Sequence, residues 1–320
     1  VATMDDVISL GVGEPDFDTP KEIVEAGIES LRNRRTHYTS NYGTIELRRA
    51  ISAHLETLYG VRYDPANEIL VTVGASEAVD LAVRGVIGVG DRIVLPEPSY
   101  VAYLPAVVFA GGTAIPVATS AVDGWRLDPM AVERAVAGGA RRGGAKALFL
   151  GYPANPTGAT LDEESRIALA KIAVENDLLV ISDEIYDRLV YEGAPHRAIS
   201  AYPGMKERTI LIGGFSKSYA MTGWRIGYCA GPEDLIKAMA KLQSQSTSNP
   251  CSIAQAAATA ALTGDQSFLK ERAIAFQGRR DLVVSMLNQV NGMTCPRPEG
   301  AFYVYPEFAA LIGKTTPQGV

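Results

Sequence analysis

The feature that most constrains the fold is a regular alternation of short apolar runs and helical patterns between residues 68 and 212. The runs are rich in β-branched residues and lack strict polar alternation, which is typical of strands covered on both faces. They are EILVTVG, DRIVLPEP, TAIPVAT, KALFLGYP, LLVISDEIY and TILIGG, and RIGYCAG after Arg225 is a further candidate. Because helical segments separate most of these runs, right-handed crossovers are expected. The sequence therefore predicts an α/β fold, with a mostly parallel sheet and helices on both faces.

Beyond Pro232 the alternation gives way to helices. PEDLIKAMAKLQSQ, SIAQAAATAAL and the longer SFLKERAIAFQGRRDLVVSMLNQV predict three helices, and GAFYVYPEF predicts a strand. We therefore expect a large domain over residues 14–231. A smaller α+β domain is expected from residues 1–13 and 232–320.

Composition excludes several classes of protein. A net charge of −6 argues against a surface that binds nucleic acid or an anionic membrane. No apolar run approaches the roughly 20 residues of a membrane helix. The three cysteines and three histidines have the spacing of neither a disulfide framework nor a metal site. A cytoplasmic protein without a resident metal is expected.

Small and polar residues follow the predicted strands at their carboxyl ends, where open α/β sheets bind ligands. Gly74-Ala75-Ser76 stands between a strand and a helix, where free backbone N–H groups suit a phosphate. Taken alone, the same three residues fit a tight turn with Ser76 as a helix N-cap.

Five further residues near these strand ends have side chains that could bind a ligand or take part in a reaction. Asp183 follows the apolar run LLVIS, so its carboxylate is expected to be partly buried and to need a cation or strong donors. Asn155 lies in the turn NPTG, and Tyr100 follows PEPS. Lys217 follows an apolar strand, with Arg225 eight residues later. Taken singly, these residues also have ordinary structural interpretations. Asp183 fits a helix cap or an ion pair, and Asn155 fits a turn. Tyr100 fits a core ring, and Lys217 fits a lysine that reaches solvent.

Together, these residues match the needs of pyridoxal 5′-phosphate. Its aldehyde requires a lysine, and its phosphate requires an arginine and a helix N-terminus. Its ring nitrogen requires a carboxylate to stay protonated, and its phenolate oxygen requires donors such as Asn and Tyr. We therefore predict that this cofactor binds at the sheet edge.

The chain resembles the fold-type I, class I and II pyridoxal-phosphate-dependent aminotransferases, of the aspartate aminotransferase kind. The resemblance covers essentially the whole chain. It rests on GEPDFDTP, YTSNYGTIELRRAI, VTVGASEA, YPANPTG, SDEIY and SKSYAMTGWRIGY. It implies a large cofactor-binding domain, a smaller domain, and transfer of an amino group from an L-amino acid to a 2-oxo acid, with 2-oxoglutarate as the expected acceptor.

The resemblance implies roles at the cofactor ring. Lys217 corresponds to the lysine that forms a Schiff base with the aldehyde, and Asp183 to the partner of the pyridine nitrogen. Asn155 and Tyr186 correspond to the donors to the phenolate oxygen, and Tyr100 to the stacking ring. Lys217, Asp183 and Tyr186 are thus the expected catalytic residues.

It also implies roles at the phosphate and the substrate. The residues expected at the phosphate are Ala75, Ser76, Ser216 and Arg225. Many relatives have a serine three residues before the lysine, where this chain has Gly214, with Ser216 next to the lysine instead. Gly13 and Asn155 are expected near the substrate carboxylate. Tyr38 corresponds to a tyrosine that reaches the neighbouring subunit's cofactor phosphate, so a homodimer is expected.

The donor substrate is less constrained. Relatives specific for aspartate hold its distal carboxylate with an arginine in the stretch matching QSQSTSNP, or with a lysine where this chain has Ser76. This chain has neither cation at those places. The donor is therefore expected to be aspartate, an aromatic amino acid or a diaminopimelate-type acid, without strict preference for aspartate.

Two alternatives remain open at this point. A C–S β-lyase on the same scaffold would use the same cofactor residues. An aminotransferase-like sensor domain of a transcription regulator would need a basic winged-helix region upstream. Relatives also continue past GAFYVYPEF into a segment with the arginine that clamps the α-carboxylate, and they begin earlier. We therefore expect the given sequence to be incomplete, with part of the small domain missing.

Overall fold

The computed structural model describes residues 10–139, 144–191 and 196–315, which form seven strands and nine α-helices. The strands are β1 (Ile69–Thr72), β2 (Arg92–Glu97), β3 (Thr113–Ala118), β4 (Ala147–Gly151), β5 (Leu179–Asp183), β6 (Thr209–Gly214) and β7 (Gly227–Ala230). The helices are α1 (Lys21–Arg32), α2 (Ile45–Tyr59), α3 (Gly74–Val86), α4 (Tyr103–Phe109), α5 (Pro129–Gly139), α6 (Glu163–Glu175), α7 (Glu233–Ser244), α8 (Ser252–Thr263) and α9 (Phe268–Leu287). All seven predicted strands between residues 68 and 231 are present.

The strands form one mixed sheet in the order β1-β7-β6-β5-β4-β2-β3. The five strands from β6 to β3 pair in parallel, and β7 lies antiparallel between β1 and β6. Six strands therefore point in one direction and β7 points in the other. This confirms the prediction of a mostly parallel α/β sheet.

Helices cover both faces of the sheet, and alternate residues of each strand face different cores. In β4, Phe149 packs in a core with α3, α4 and α7. Its neighbours Leu148 and Leu150 pack in a second core with α5 and α6. This two-sided burial explains why the strands appear in the sequence as continuous apolar runs. None of the helices in the described part of the chain has the length and apolarity needed to cross a membrane.

Two of the three helices described after Pro232, α7 and α8, pack in cores that include strand residues. Ile236 and Met239 of α7 lie in the core that contains α3 and α4. Ala257 of α8 lies in a core with α1 and α2. Helices α7 and α8 therefore share their cores with the sheet. The predicted domain boundary between residues 231 and 232 stays a prediction.

The predicted strand GAFYVYPEF is wrong. Within the described residues, Gly300 and Glu307 form only isolated bridges, to Val190 and Thr294. Ala301 has a φ of 54°, in the left-handed region, which interrupts an extended backbone. The rings of Phe302 and Tyr303, which follow it, are half-buried and pack with Tyr186 and Phe276.

Candidate active site

A cavity of about 390 Å³ lies at the carboxyl edge of the sheet. Because β7 runs against its neighbours, its start, with Arg225 just before it, lies at the same edge. The predicted site residues that line the cavity are Gly13, Ala75, Ser76, Tyr100, Asn155, Asp183, Tyr186, Ser216, Lys217 and Arg225. Tyr38 is the exception, since it lies outside this lining and is 93% exposed in the single chain.

Lys217 follows β6 by three residues and is partly buried. Its Nζ donates a hydrogen bond to the carbonyl oxygen of Gly13, which ties the N-terminal segment to the strand end. Burial lowers the pKa of Lys217, and the charge of Arg225 lowers it further, against the opposite effect of Glu14. A lysine with a lowered pKa is more often neutral at Nζ, as a nucleophile or a base must be.

Asp183 is the last residue of β5 and is 6% exposed. Burial raises the pKa of this carboxyl to about 6. A hydrogen bond from the Tyr103 hydroxyl at 2.8 Å, the Ile185 backbone N–H at 3.2 Å and the charge of Lys217 act in the opposite direction. Asp183 is therefore a buried carboxyl at a cavity wall whose charged form needs a cationic partner.

The start of α3 and Arg225 form a site suited to an anion. Helix α3 has 13 residues and begins at Gly74, so the amides of its first turn have no intrahelical partner. A Cβ added at Gly74, which has a φ of 76°, would lie 2.7 Å from Nη2 of Arg225. The guanidinium therefore lies directly against the helix start. Arg225 itself has a φ of 51°, an uncommon backbone conformation that is often found at functional sites.

Asn155 and Tyr186 share one partner, Tyr303. Nδ2 of Asn155 lies 3.3 Å from the Tyr303 hydroxyl oxygen, and the Tyr186 hydroxyl oxygen lies 2.5 Å from it. Burial raises the pKa of Tyr186 above its ordinary value, so its hydroxyl remains protonated and able to donate. The two predicted phenolate donors thus lie side by side in the cavity wall.

Sequence reasoning missed Tyr103 and Tyr303. Tyr103 falls in a segment predicted only as helix, although it stands three residues after Tyr100 at the same strand end. Tyr303 falls in the segment predicted as a strand. For both, the signal available in the sequence was an aromatic hydroxyl near a strand end or a loop, which does not distinguish a site residue from a core residue.

Comparison with known proteins identifies the family. The family model for aminotransferase class I and II matches residues 5–316. The chain belongs to the class I and II aminotransferases. The aspartate/prephenate aminotransferase of Cereibacter sphaeroides is 44% identical over 316 residues, which are 98% of this chain and 78% of that protein.

Solved structures of aminotransferases agree with this fold. The aspartate aminotransferase of Rhizobium meliloti matches with a TM-score of 0.92 and 40% identity, over 97% of this chain and 77% of that one. The aromatic aminotransferase of Pyrococcus horikoshii matches with a TM-score of 0.90 and 40% identity, over 95% of this chain and 80% of that one. This class I and II aminotransferase is therefore a fold-type I enzyme, and its cofactor is pyridoxal phosphate.

The cavity of this aminotransferase fits that cofactor. The helix start and Arg225 suit a phosphate, because Gly74 leaves room for the guanidinium against free amides. The buried carboxyl of Asp183 suits a protonated ring nitrogen. Lys217, with its lowered pKa, suits the aldehyde.

Proposed function

We propose that this aminotransferase holds pyridoxal phosphate with Lys217 on the aldehyde, Asp183 at the ring nitrogen and Arg225 at the phosphate. Asn155 and Tyr186 bind the phenolate oxygen, Tyr100 covers the ring, and Ala75, Ser76 and Ser216 complete the phosphate site. The observation that carries this assignment is that all of these residues line one cavity, although they follow five different strands or precede a sixth.

When bound, pyridoxal phosphate supplies an aldehyde that binds amines covalently and a protonated ring that takes up electrons from the substrate Cα. The residues of the chain orient the reactants and move protons. Nζ of Lys217 is the base that accepts the Cα proton, because burial favours its neutral form. The carboxylate of Asp183 keeps a proton on the ring nitrogen, because a negative charge beside that nitrogen favours its protonated, cationic form.

The proposed donors are aspartate and aromatic amino acids, with 2-oxoglutarate as acceptor. Relatives named for aspartate, prephenate and aromatic substrates are about equally similar to this chain. Among the described residues that line the cavity, the cations are Lys217 and Arg225, and both have proposed roles at the cofactor. The described part of the cavity wall thus has no separate cation that would select a distal carboxylate.

A donor and acceptor screen on the purified protein, loaded with pyridoxal phosphate, tests this substrate proposal. We expect kcat/KM for aspartate to stay within about a thousandfold of that for the best aromatic donor, because apolar pockets discriminate weakly whereas buried charge pairs discriminate strongly. Ser76→Lys is the matched variant, since it places a cation in the cavity wall and should raise the preference for aspartate. A wild-type preference for aspartate well above a thousandfold would contradict the proposal.

We propose further that the enzyme works as a homodimer, with Tyr38 contacting the partner's cofactor phosphate. The support is that Tyr38 is 93% exposed and lies outside the cavity of its own chain. Mixed dimers of Tyr38→Phe with Lys217→Ala test this arrangement. If Tyr38 acts across the interface, each mixed dimer contains one intact site and activity returns. If it acts within its own chain, no site is intact and mixing restores nothing.

A cytoplasmic location is also proposed. Its support is the chemistry of the cysteines, since Cys229, Cys251 and Cys295 are all free. Free cysteines are typical of a reducing compartment.

A further inference from the structure

One residue with no assigned role connects the two donors at the cavity wall. The Tyr303 hydroxyl lies 3.3 Å from Nδ2 of Asn155 and 2.5 Å from the Tyr186 hydroxyl. Tyr303 also lines the cavity, and a Cβ at Gly13 would collide with its hydroxyl. It therefore lies where the donor pair and the N-terminal segment meet.

The donors and acceptors of the three groups are compatible with one particular direction for this hydrogen-bond chain. An amide nitrogen can only donate, so Asn155 donates to the Tyr303 oxygen. Either hydroxyl can be the donor in the 2.5 Å contact with Tyr186, and in one of the two arrangements the single proton of Tyr303 goes to the Tyr186 oxygen. This leaves the proton of Tyr186 and the second N–H of Asn155 free to point into the cavity. A chain of this kind strengthens each of its members.

The backbone around Tyr303 fixes it to the loops that carry its two partners. The amides of Glu299 and Gly300 donate to the carbonyl oxygen of Gly158, three residues after Asn155, at 3.0 and 2.9 Å. The amide of Ala301 donates to Leu189, three residues after Tyr186, at 2.8 Å. Residues 299–301 are thus hydrogen-bonded to both loops. Two residues later, the Tyr303 side chain contacts Asn155 and Tyr186 themselves.

Ring contacts of Phe302 also fix the position of this segment. It stacks on Phe276 of α9, with ring centroids 5.2 Å apart, and meets the Tyr186 ring edge-on at 5.5 Å. Aromatic contacts of this kind restrict ring position. The hydroxyl of Tyr303 is therefore held in place by packing as well as by hydrogen bonds.

We propose that Tyr303 is a positioning residue, which directs the Tyr186 proton and the free Asn155 N–H towards the phenolate oxygen of the cofactor. The inference rests on the roles proposed above for Asn155 and Tyr186. It adds a third residue, from the segment after α9, to the machinery that holds the cofactor ring.

Tyr303→Phe tests the proposal, because it removes the hydroxyl and keeps the ring. The affinity for pyridoxal phosphate should fall by roughly three- to tenfold, the effect of one or two hydrogen bonds. The pH at which the absorption spectrum of the bound cofactor changes should move upward by about half a unit to one unit, because weaker donors stabilise an anionic oxygen less. A purely structural role would lower thermal stability without moving this midpoint.

Two comparisons make the test specific. Tyr305→Phe removes a hydroxyl two residues away, where no hydrogen bond of that hydroxyl is seen among the described residues, and should leave the affinity and the midpoint unchanged. In the background of Tyr186→Phe and Asn155→Ala, adding Tyr303→Phe should change the affinity by less than about twofold, since its partners are already gone.

The results distinguish a failure of the proposed role of Tyr303 from a failure of the proposed cofactor site. If the wild-type protein fails to bind pyridoxal phosphate, the site assignment fails as well. If it binds, and Tyr303→Phe has the wild-type affinity and midpoint, only the role of Tyr303 is refuted. An equal effect of Tyr303→Phe with and without its partners would also refute it.

Discussion

Removing the Tyr103 hydroxyl should raise the pKa of Asp183 in the cofactor-free protein. The two groups lie 2.8 Å apart, a normal distance for a strong O–H···O hydrogen bond. Hydrogen bonds to charged groups contribute about 1.5–3 kcal/mol, which equals roughly one to two pKa units. The Ile185 amide still donates to Asp183 after the change, so the lower end applies. Tyr103→Phe should thus move the pKa of Asp183 from about 6 to roughly 7.

A ¹³C-carboxyl NMR titration of the cofactor-free protein measures this value, and Asp183→Asn identifies the signal by removing it. Tyr152→Phe is the matched control, because Tyr152 is also a buried tyrosine but packs in the core with Leu148. Its hydroxyl removal should leave the pKa of Asp183 at about 6. An unchanged or lowered pKa of Asp183 in Tyr103→Phe would show that the Tyr103 hydroxyl does not stabilise the charged carboxylate.

The same shift has a consequence for stability. Burial raises the pKa of Asp183 above its ordinary value of 3.8, so the folded cofactor-free protein favours the protonated form. The stability that this carboxyl contributes is therefore fully present below pH 3.8 and is lost as the pH rises through about 6. In Tyr103→Phe the loss should extend to roughly pH 7, which denaturant unfolding at several pH values would detect.

Three further changes have defined outcomes. Asp183→Ala should keep pyridoxal phosphate bound and lose most of the turnover, because the ring nitrogen loses the group that keeps it protonated; a near wild-type rate would make the carboxylate merely structural. Arg225→Met should weaken binding of pyridoxal phosphate by about tenfold or more and leave pyridoxal, which lacks the phosphate, unaffected in a binding titration. Gly74→Ala should lower both stability, by about 1–3 kcal/mol, and phosphate affinity, because its φ is 76° and its Cβ would collide with Arg225; wild-type urea unfolding and affinity would contradict this.

The sheet was predictable from the sequence because its strands are buried on both faces. A strand such as β4 is apolar at every position, since Phe149 packs on one face and Leu148 on the other. Local composition then carries the signal directly. The cavity residues were predictable because parallel strands end at one edge, which brings the residues after them together.

The segment after α9 was not predictable in the same way. GAFYVYPEF has the composition of a strand, but the left-handed backbone at Ala301 and the packing of Phe302 on Phe276 override that propensity. The hydroxyl of Tyr303 finds its partners 117 and 148 residues away along the chain. Contacts over such separations depend on the assembled tertiary structure, so a local pattern does not reveal them.

Covalent mapping can show whether Lys217 carries the cofactor. Borohydride reduction of the loaded protein fixes the cofactor to the amine that holds it, and peptide mapping then locates the modified residue. We expect the pyridoxyl group on Lys217, and we expect no label in Lys217→Arg, which keeps the charge. A label on another lysine of the wild-type protein, or an equal label in Lys217→Arg, would contradict the account.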